Sequence, residues 1–375
     1  MLYRKTILAA ALALSVLCGC AETEKPDEKS WQTMQNVTLD SGFDTVITLI
    51  EQTDDPEAFD AHFKALCERF SYYNSLFDIY NSYEGMNNLR TVNDQAGIAP
   101  VKVDPELIEL LKKGQEFYEL SDGAFDITMG SLLNVWHEYR TEGIALNEQG
   151  KRAPLPSEEE LKQAAQHCGF DAVVIDEEAG TVFITDPDVR IDVGGIAKGF
   201  ATEKTAKMLE ETGSDHTAVN AGGNNRTIGS KRDGTPWNVG IQNPDGEGAL
   251  FVVRIEGTSS FVTSGDYERF YVGEDGKRYQ HIIDPATLYP ASRYRSVTVI
   301  TPDSGDADCL STALTVLSIE DGQKLLDAYR TQSGASAEAI WILPESETVS
   351  DSHVHRMPGY NIVYTENLEN CLVWS

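Results

Sequence analysis

Apolar residues recur at three- and four-residue spacing between Pro56 and Tyr80. Phe59, Phe63, Leu66, Phe70, Tyr73 and Phe77 form one stripe, which predicts an amphipathic helix. The run Phe43 to Ile50 before it predicts a strand. A second helix is predicted to start at Asp104-Pro105, where the aspartate caps and the proline suits the first turn. A third starts at Ser157, with Glu160 three residues on as a capping box, and ends before Gly169. Ala172 to Asp176 and Thr181 to Thr185 read as a hairpin around Glu177 to Gly180. Val189 to Val193 reads as a buried strand, and Ile196 to Thr212 as a helix stopped by Gly213. Strands are expected near Thr217 to Asn220, Trp237 to Gln242, Leu250 to Glu256 and Tyr294 to Thr301, followed by a helix from Asp306 to Ser318. Strands and helices mix without regular alternation, so the expected class is α+β.

The N-terminus has a different pattern. Arg4 and Lys5 precede an apolar run from Thr6 to Leu17, too short to span a bilayer as a mature helix and suited to a secretory signal. The run ends in Leu17-Cys18-Gly19-Cys20, which resembles a bacterial lipobox. The expectation is a signal over residues 1–19 and a lipid on Cys20. A polar tether over 20–36 then leads to a single body over 37–375, held on the outer face of the cytoplasmic membrane by the lipid alone. An ordinary cleaved signal without lipid is the alternative.

Charge changes the picture next. Lys and Arg number 30 against 60 Asp and Glu, a net charge of −30, and loss of Arg4 and Lys5 with the signal makes it −32. Such a chain repels nucleic acid and anionic head groups, which excludes a nucleic-acid partner. An anionic small molecule would need cations concentrated locally. Beyond Cys18 and Cys20, the cysteines at 67, 168, 309 and 371 are dispersed with no C-x-x-C spacing, so a zinc site or disulfide scaffold is not expected; a single disulfide stays open.

Three segments carry candidate chemistry. Asp192-Val-Gly-Gly-Ile-Ala-Lys-Gly199 is a glycine turn entering a predicted helix, where backbone N–H groups and Lys198 suit phosphate. It matches neither Walker A nor the dinucleotide fingerprint, and a plain strand-to-helix turn is the alternative. Asp306-Ala-Asp-Cys-Leu-Ser-Thr-Ala313 places Asp308, Ser311 and Thr312 at i, i+3 and i+4, hard oxygens on one face that suit Mg²⁺ rather than zinc. There the alternative is that Asp306 and Asp308 merely cap the helix. His281-Ile-Ile-Asp284-Pro285 reads as a strand end entering a turn.

With Asn220-Ala-Gly-Gly-Asn224 and Thr263-Ser-Gly-Asp-Tyr267, these segments resemble the ApbE-type FAD:protein FMN transferases from about residue 40 to the end. The resemblance implies two packed α/β subdomains with the ligand in the cleft between them. It implies FAD as substrate, with Tyr80, Ala124, Phe125, Asp126, Asp192, Lys198 and Ile283 against it. Mg²⁺ is implied on Asp308, Ser311, Thr312 and the Gly195 carbonyl, and His281 is implied as base for the acceptor hydroxyl. The Asn220 segment departs from a common family pattern that has aspartate where Asn224 stands. The implied acceptor is a flavin-carrying subunit of a membrane redox complex. Two other readings stay open: an Mg²⁺-dependent FAD pyrophosphatase using the same residues, and a non-catalytic flavin-binding lipoprotein.

Overall fold

The structure, a computed structural model, describes residues 30–350 and 352–374. The predicted signal and Cys20 lie outside the described residues. The folded body starts earlier than residue 37: Gln32–Thr38 is already a strand, paired antiparallel with Ile47–Thr53. That strand takes in the end of the segment read as tether, because its outer edge faces solvent and its sequence is correspondingly polar.

Nine antiparallel strands form the main sheet. From edge to edge they are Gln32–Thr38, Ile47–Thr53, Thr217–Ala221, Asn224–Ile228, Ser259–Gly265, Ser296–Thr301, Glu338–Pro344, Tyr360–Tyr364 and Val354–Met357. One face carries the helices Pro56–Phe77, Ala197–Glu211 and Ser304–Val316 over one large apolar core. The other face carries a smaller sheet of Trp237–Gln242, Ala249–Ile255 and Leu372–Trp374. A second lobe gathers Met129, Leu132, Trp136, Leu161, Tyr271 and Ile283 around the helix Gly130–Glu148. The two-lobed α+β architecture expected from the motifs is therefore present.

Local chemistry explains where the elements start and stop. Asp55 accepts from the N–H groups of Glu57 and Ala58, and Pro56 sits in the first turn of the long helix. That helix ends at Phe77, not Tyr80, because extended Asp78 takes the N–H groups of Tyr80 and Asn81 on its carboxylate at 2.6 and 3.0 Å. Tyr80 thus leaves the helix and stands 58% exposed. The predicted strand at Phe43 also starts later, at Ile47, since Phe43 and Asp44 have φ of 59° and 48°. The capping box at Ser157 forms as expected.

Val189 to Val193 is buried but is not a strand. Its backbone is satisfied piecemeal: Asn93 accepts from Ile191 N–H at 2.8 Å and donates to its carbonyl at 2.9 Å, and Asp192 N–H bonds Ile127 at 2.8 Å. A side chain takes the place of a neighbouring strand there. The helix read from Asp306 begins instead at Ser304, with Asp303 as its cap accepting from Asp306 N–H. Asp308 therefore does not cap its own helix. The four cysteines among the described residues are unpaired, and no described helix is long and apolar enough to cross a membrane.

Candidate functional site

The glycine turn and the Ser304–Val316 helix, more than a hundred residues apart in sequence, meet face to face. Gly199 N–H donates to Asp308 Oδ2 at 2.8 Å, and Thr312 Oγ1 lies 3.5 Å from the Gly195 carbonyl oxygen. This approach requires glycine at 199: a Cβ there would stand 2.3 Å from the Ser304 carbonyl oxygen and 2.6 Å from Asp308 Cβ. Phe125 lies under the same turn, its ring 3.1 Å from where a Gly195 Cβ would be. Ser311 is fully buried and turned to Ser264, 2.9 Å oxygen to oxygen, while also donating to the Asp308 carbonyl.

Asp308 is 4% exposed. Burial pushes its carboxyl above the usual range, and Lys198, the Gly199 N–H and Asn224 pull it back. Asp192 is raised by burial in the same way, opposed by the Gly194 N–H, Arg140, His137 and Arg269. A carboxylate held against its preference needs a reason to stay, and a cation or cationic partner supplies one.

His281 follows the short strand Arg278–Gln280, as its turn signal predicted, and projects from the second lobe. Its Nδ1 is buried without a partner. Burial, then the charges of Arg140, Arg269 and Lys198, push its pKa down to about 3, with the Arg269 backbone carbonyl acting the other way. The imidazole is therefore neutral at pH 7, and as a base it gains strength only when an anionic ligand offsets the surrounding cations. Since the unfolded chain protonates near the ordinary value and the native site does not, this group withdraws stability as pH falls from about 6.5 toward 3. In protein without added FAD, NMR titration with His281→Gln as assignment control should give a midpoint near 3. The same substitution should lessen the stability lost between pH 7 and pH 5. A midpoint near the usual 6.5 would overturn this electrostatic account.

Tyr80 meets the second lobe through the ring of His137, 5.7 Å between centroids, and His137 Nδ1 lies 3.2 Å from Arg140 Nη2. An exposed aromatic at the mouth of a cleft offers a face to a planar ring. Ala124 precedes buried Phe125, and Ile283 is buried in the second lobe. Asp126 is committed locally: its carboxylate accepts from Thr128 N–H at 2.7 Å and Thr128 Oγ1 at 2.6 Å. The sequence did not mark Arg140, Arg269 or His137. Arg269 sits two residues past the Thr263 to Tyr267 motif, whereas Arg140 and His137 lie on an ordinary-looking helix and gave no signal. With Lys198, these arginines make no ion pair among the described residues, so the cleft gathers unpaired positive charge in a strongly acidic chain. Elsewhere, His167, Asp186 and Asp188 bring ligand atoms within 4.8 Å, but His167 is already bonded to Asp186 and none of the five motifs contributes.

Buried hard oxygens, unpaired cations and an exposed aromatic are the groups that an anionic, ring-bearing small molecule would need. The chain belongs to the ApbE family, whose model matches residues 42–336. It is similar to the FAD:protein FMN transferase of Treponema pallidum, 36% identical over 275 residues, 68% of this chain and 71% of that one. It is also similar to that of Haemophilus influenzae, 31% identical over 83% of this chain and 86% of its relative. Among solved structures, the ApbE protein of Thermotoga maritima superposes with a TM-score of 0.70 at 30% identity, covering 86% of this chain and 97% of that one. The Vibrio cholerae flavin transferase ApbE, at 23% identity and a TM-score of 0.67, shares the fold.

Proposed function

We propose that this chain transfers the FMN half of FAD to a serine or threonine hydroxyl of an acceptor protein and releases AMP. The observation that carries the reading is the convergence of Asp308, Thr312 and the Gly195 carbonyl beside Lys198, at the start of the Ala197–Glu211 helix. The relatives named for this activity support it. The donor set is all oxygen, with its one carboxylate buried, which fits Mg²⁺. Asp308, Thr312 and the Gly195 carbonyl would hold the ion, with Ser311 bracing the helix turn through Ser264. When bound, Mg²⁺ offsets the charge of the pyrophosphate and of the departing phosphate.

The chain's own groups divide the remaining work. Lys198 binds the pyrophosphate, and the exposed Tyr80 offers a ring face to the flavin. His281 accepts the acceptor hydroxyl proton as its oxygen bonds the FMN-side phosphorus. The bond from that phosphorus to the bridging oxygen breaks, and AMP leaves with the electron pair. Asp192, at the base of the glycine turn, accepts the Gly194 N–H at 2.8 Å, and the charges of Arg140 and Arg269 favour its ionised form.

A lipid on Cys20, on the outer face of the cytoplasmic membrane, would set the enzyme beside a flavin-carrying subunit of a membrane redox complex as acceptor. The test is the intact mass of such an acceptor domain after incubation with the purified protein, FAD and Mg²⁺. A gain of one FMN with stoichiometric AMP is expected. AMP without an acceptor would point to the pyrophosphatase reading, and stable FAD with no AMP to a binding protein.

A further inference from the structure

Asn224 is the one side chain among the described residues with two orphaned buried polar atoms. It is 1% exposed, and neither Nδ2 nor Oδ1 reaches a hydrogen-bond partner. Buried amides are normally satisfied, and one that is not calls for an explanation, a bound ion or ligand among them. Its place in the fold is set firmly. Gly222 and Gly223, with φ of 57° and 94°, make a two-residue turn that pairs Ala221 with Asn224, so Asn224 opens its strand in fixed register.

The face follows from strand alternation. Two residues on, Arg226 points to the helix layer and forms a buried bidentate pair with Glu203, at 2.9 and 3.2 Å. Asn224 shares that face, and its amide lies beside the Asp308 carboxylate. Glu203 also accepts from Ser304 N–H at 2.8 Å, so the strand, the glycine-turn helix and the Asp308 helix are locked together at this point. A carboxylate can only accept, so the amide edge toward Asp308 is Nδ2. That leaves Oδ1 as a hard oxygen, buried at the cation cluster, with no donor to satisfy it.

We infer that Asn224 is a further binding residue of the site, with Nδ2 turned to the Asp308 side and Oδ1 offered as an oxygen ligand to the divalent cation. The inference rests on the cation-assisted reading of the site. As a neutral ligand, Asn224 contributes an oxygen without adding charge that would repel the pyrophosphate. An aspartate there would bind the bare cation more tightly and the anionic substrate less well.

The experiment is titration of Mn²⁺ into the purified protein without FAD, followed by electron paramagnetic resonance. Wild type is expected to bind, and Asp308→Ala to lose binding. Asn224→Ala should weaken it by about tenfold or more, and Asn224→Asp should strengthen it. Asn224→Ala and Asn224→Asp both matching wild type, while Asp308→Ala still fails to bind, would overturn the role of Asn224 and leave the cation reading intact. Equal Mn²⁺ binding by wild type and Asp308→Ala, or binding by neither, would overturn both. If Asn224→Ala does not fold, Asn224→Asp, which keeps the size and shape, decides alone: affinity no greater than wild type overturns the inference.

Discussion

Replacing Asp308 by alanine is expected to abolish FMN transfer while leaving the protein folded. The carboxylate is the one charged oxygen in the proposed cation cluster, and such an ion contributes several kcal/mol of charge stabilisation in the transition state. A loss of about a thousandfold, or about 4 kcal/mol, is the scale to look for. The fold should survive because the burial that makes Asp308 useful also makes it costly. Its carboxyl is raised above the usual range, chiefly by desolvation, and the opposing Lys198, Gly199 N–H and Asn224 do not bring it back. A raised carboxyl stabilises the native state only where it is protonated, so that contribution is gone once pH rises through the native value. At pH 7, with no divalent cation added, Asp308→Asn should therefore melt no lower than wild type, and higher if it keeps the bond from Gly199 N–H. Thermal melts with and without Mg²⁺ check this: Mg²⁺ should raise the wild-type midpoint and leave that of Asp308→Asn unmoved. Transfer at the wild-type rate by Asp308→Ala would remove the foundation of the proposed mechanism.

Gly199→Ala is expected to damage both stability and activity although it adds one methyl group far from any proton transfer. In an exposed helix the change would gain about 1 kcal/mol from propensity. Here the Cβ meets the Ser304 carbonyl at 2.3 Å and Asp308 Cβ at 2.6 Å, and a backbone carbonyl inside a helix cannot step aside. The Ala197–Glu211 and Ser304–Val316 helices must separate, which costs about 1–3 kcal/mol in overpacking strain and carries Asp308 away from Gly195. Urea denaturation should give a lower midpoint, and residual transfer should require much higher Mg²⁺. A stability equal to wild type would mean that the helices are not in the contact described. The Glu203–Arg226 pair fastens the same junction from the strand side, so changes at Glu203 and at Gly199 should be non-additive.

The chain's local chemistry was legible without a structure wherever a signal is carried by adjacent residues. The caps at Asp104 and Ser157, the amphipathic stripe from Phe59 to Phe77, and the hairpin on either side of Glu177 to Gly180 all depend on side chains within a few positions of the backbone they serve. Readings failed where distant residues intervene. Val189 to Val193 is strand-like in composition but is held by Asn93, and the Ser304 helix begins early because Glu203 takes the Ser304 N–H. The polar strand Gln32–Thr38 acquires its conformation from its neighbour Ile47–Thr53, since an edge strand needs little apolar content of its own.

The site divides along the same line. The sequence by itself determined the hard oxygens at i, i+3 and i+4 from Asp308, the glycine turn with Lys198, the turn signal at His281 and the family to which these belong, because each is a local motif with its own chemistry. Only the tertiary structure decided that Gly199 and Asp308 touch, that Ser311 faces Ser264, that Tyr80 stands clear of its helix, that Arg140 and Arg269 act on His281, and that Asn224 is buried unsatisfied. Those relations are set by which helices cross and which strand face meets them, and packing of that kind links residues with no sequence proximity through which a pattern could be read.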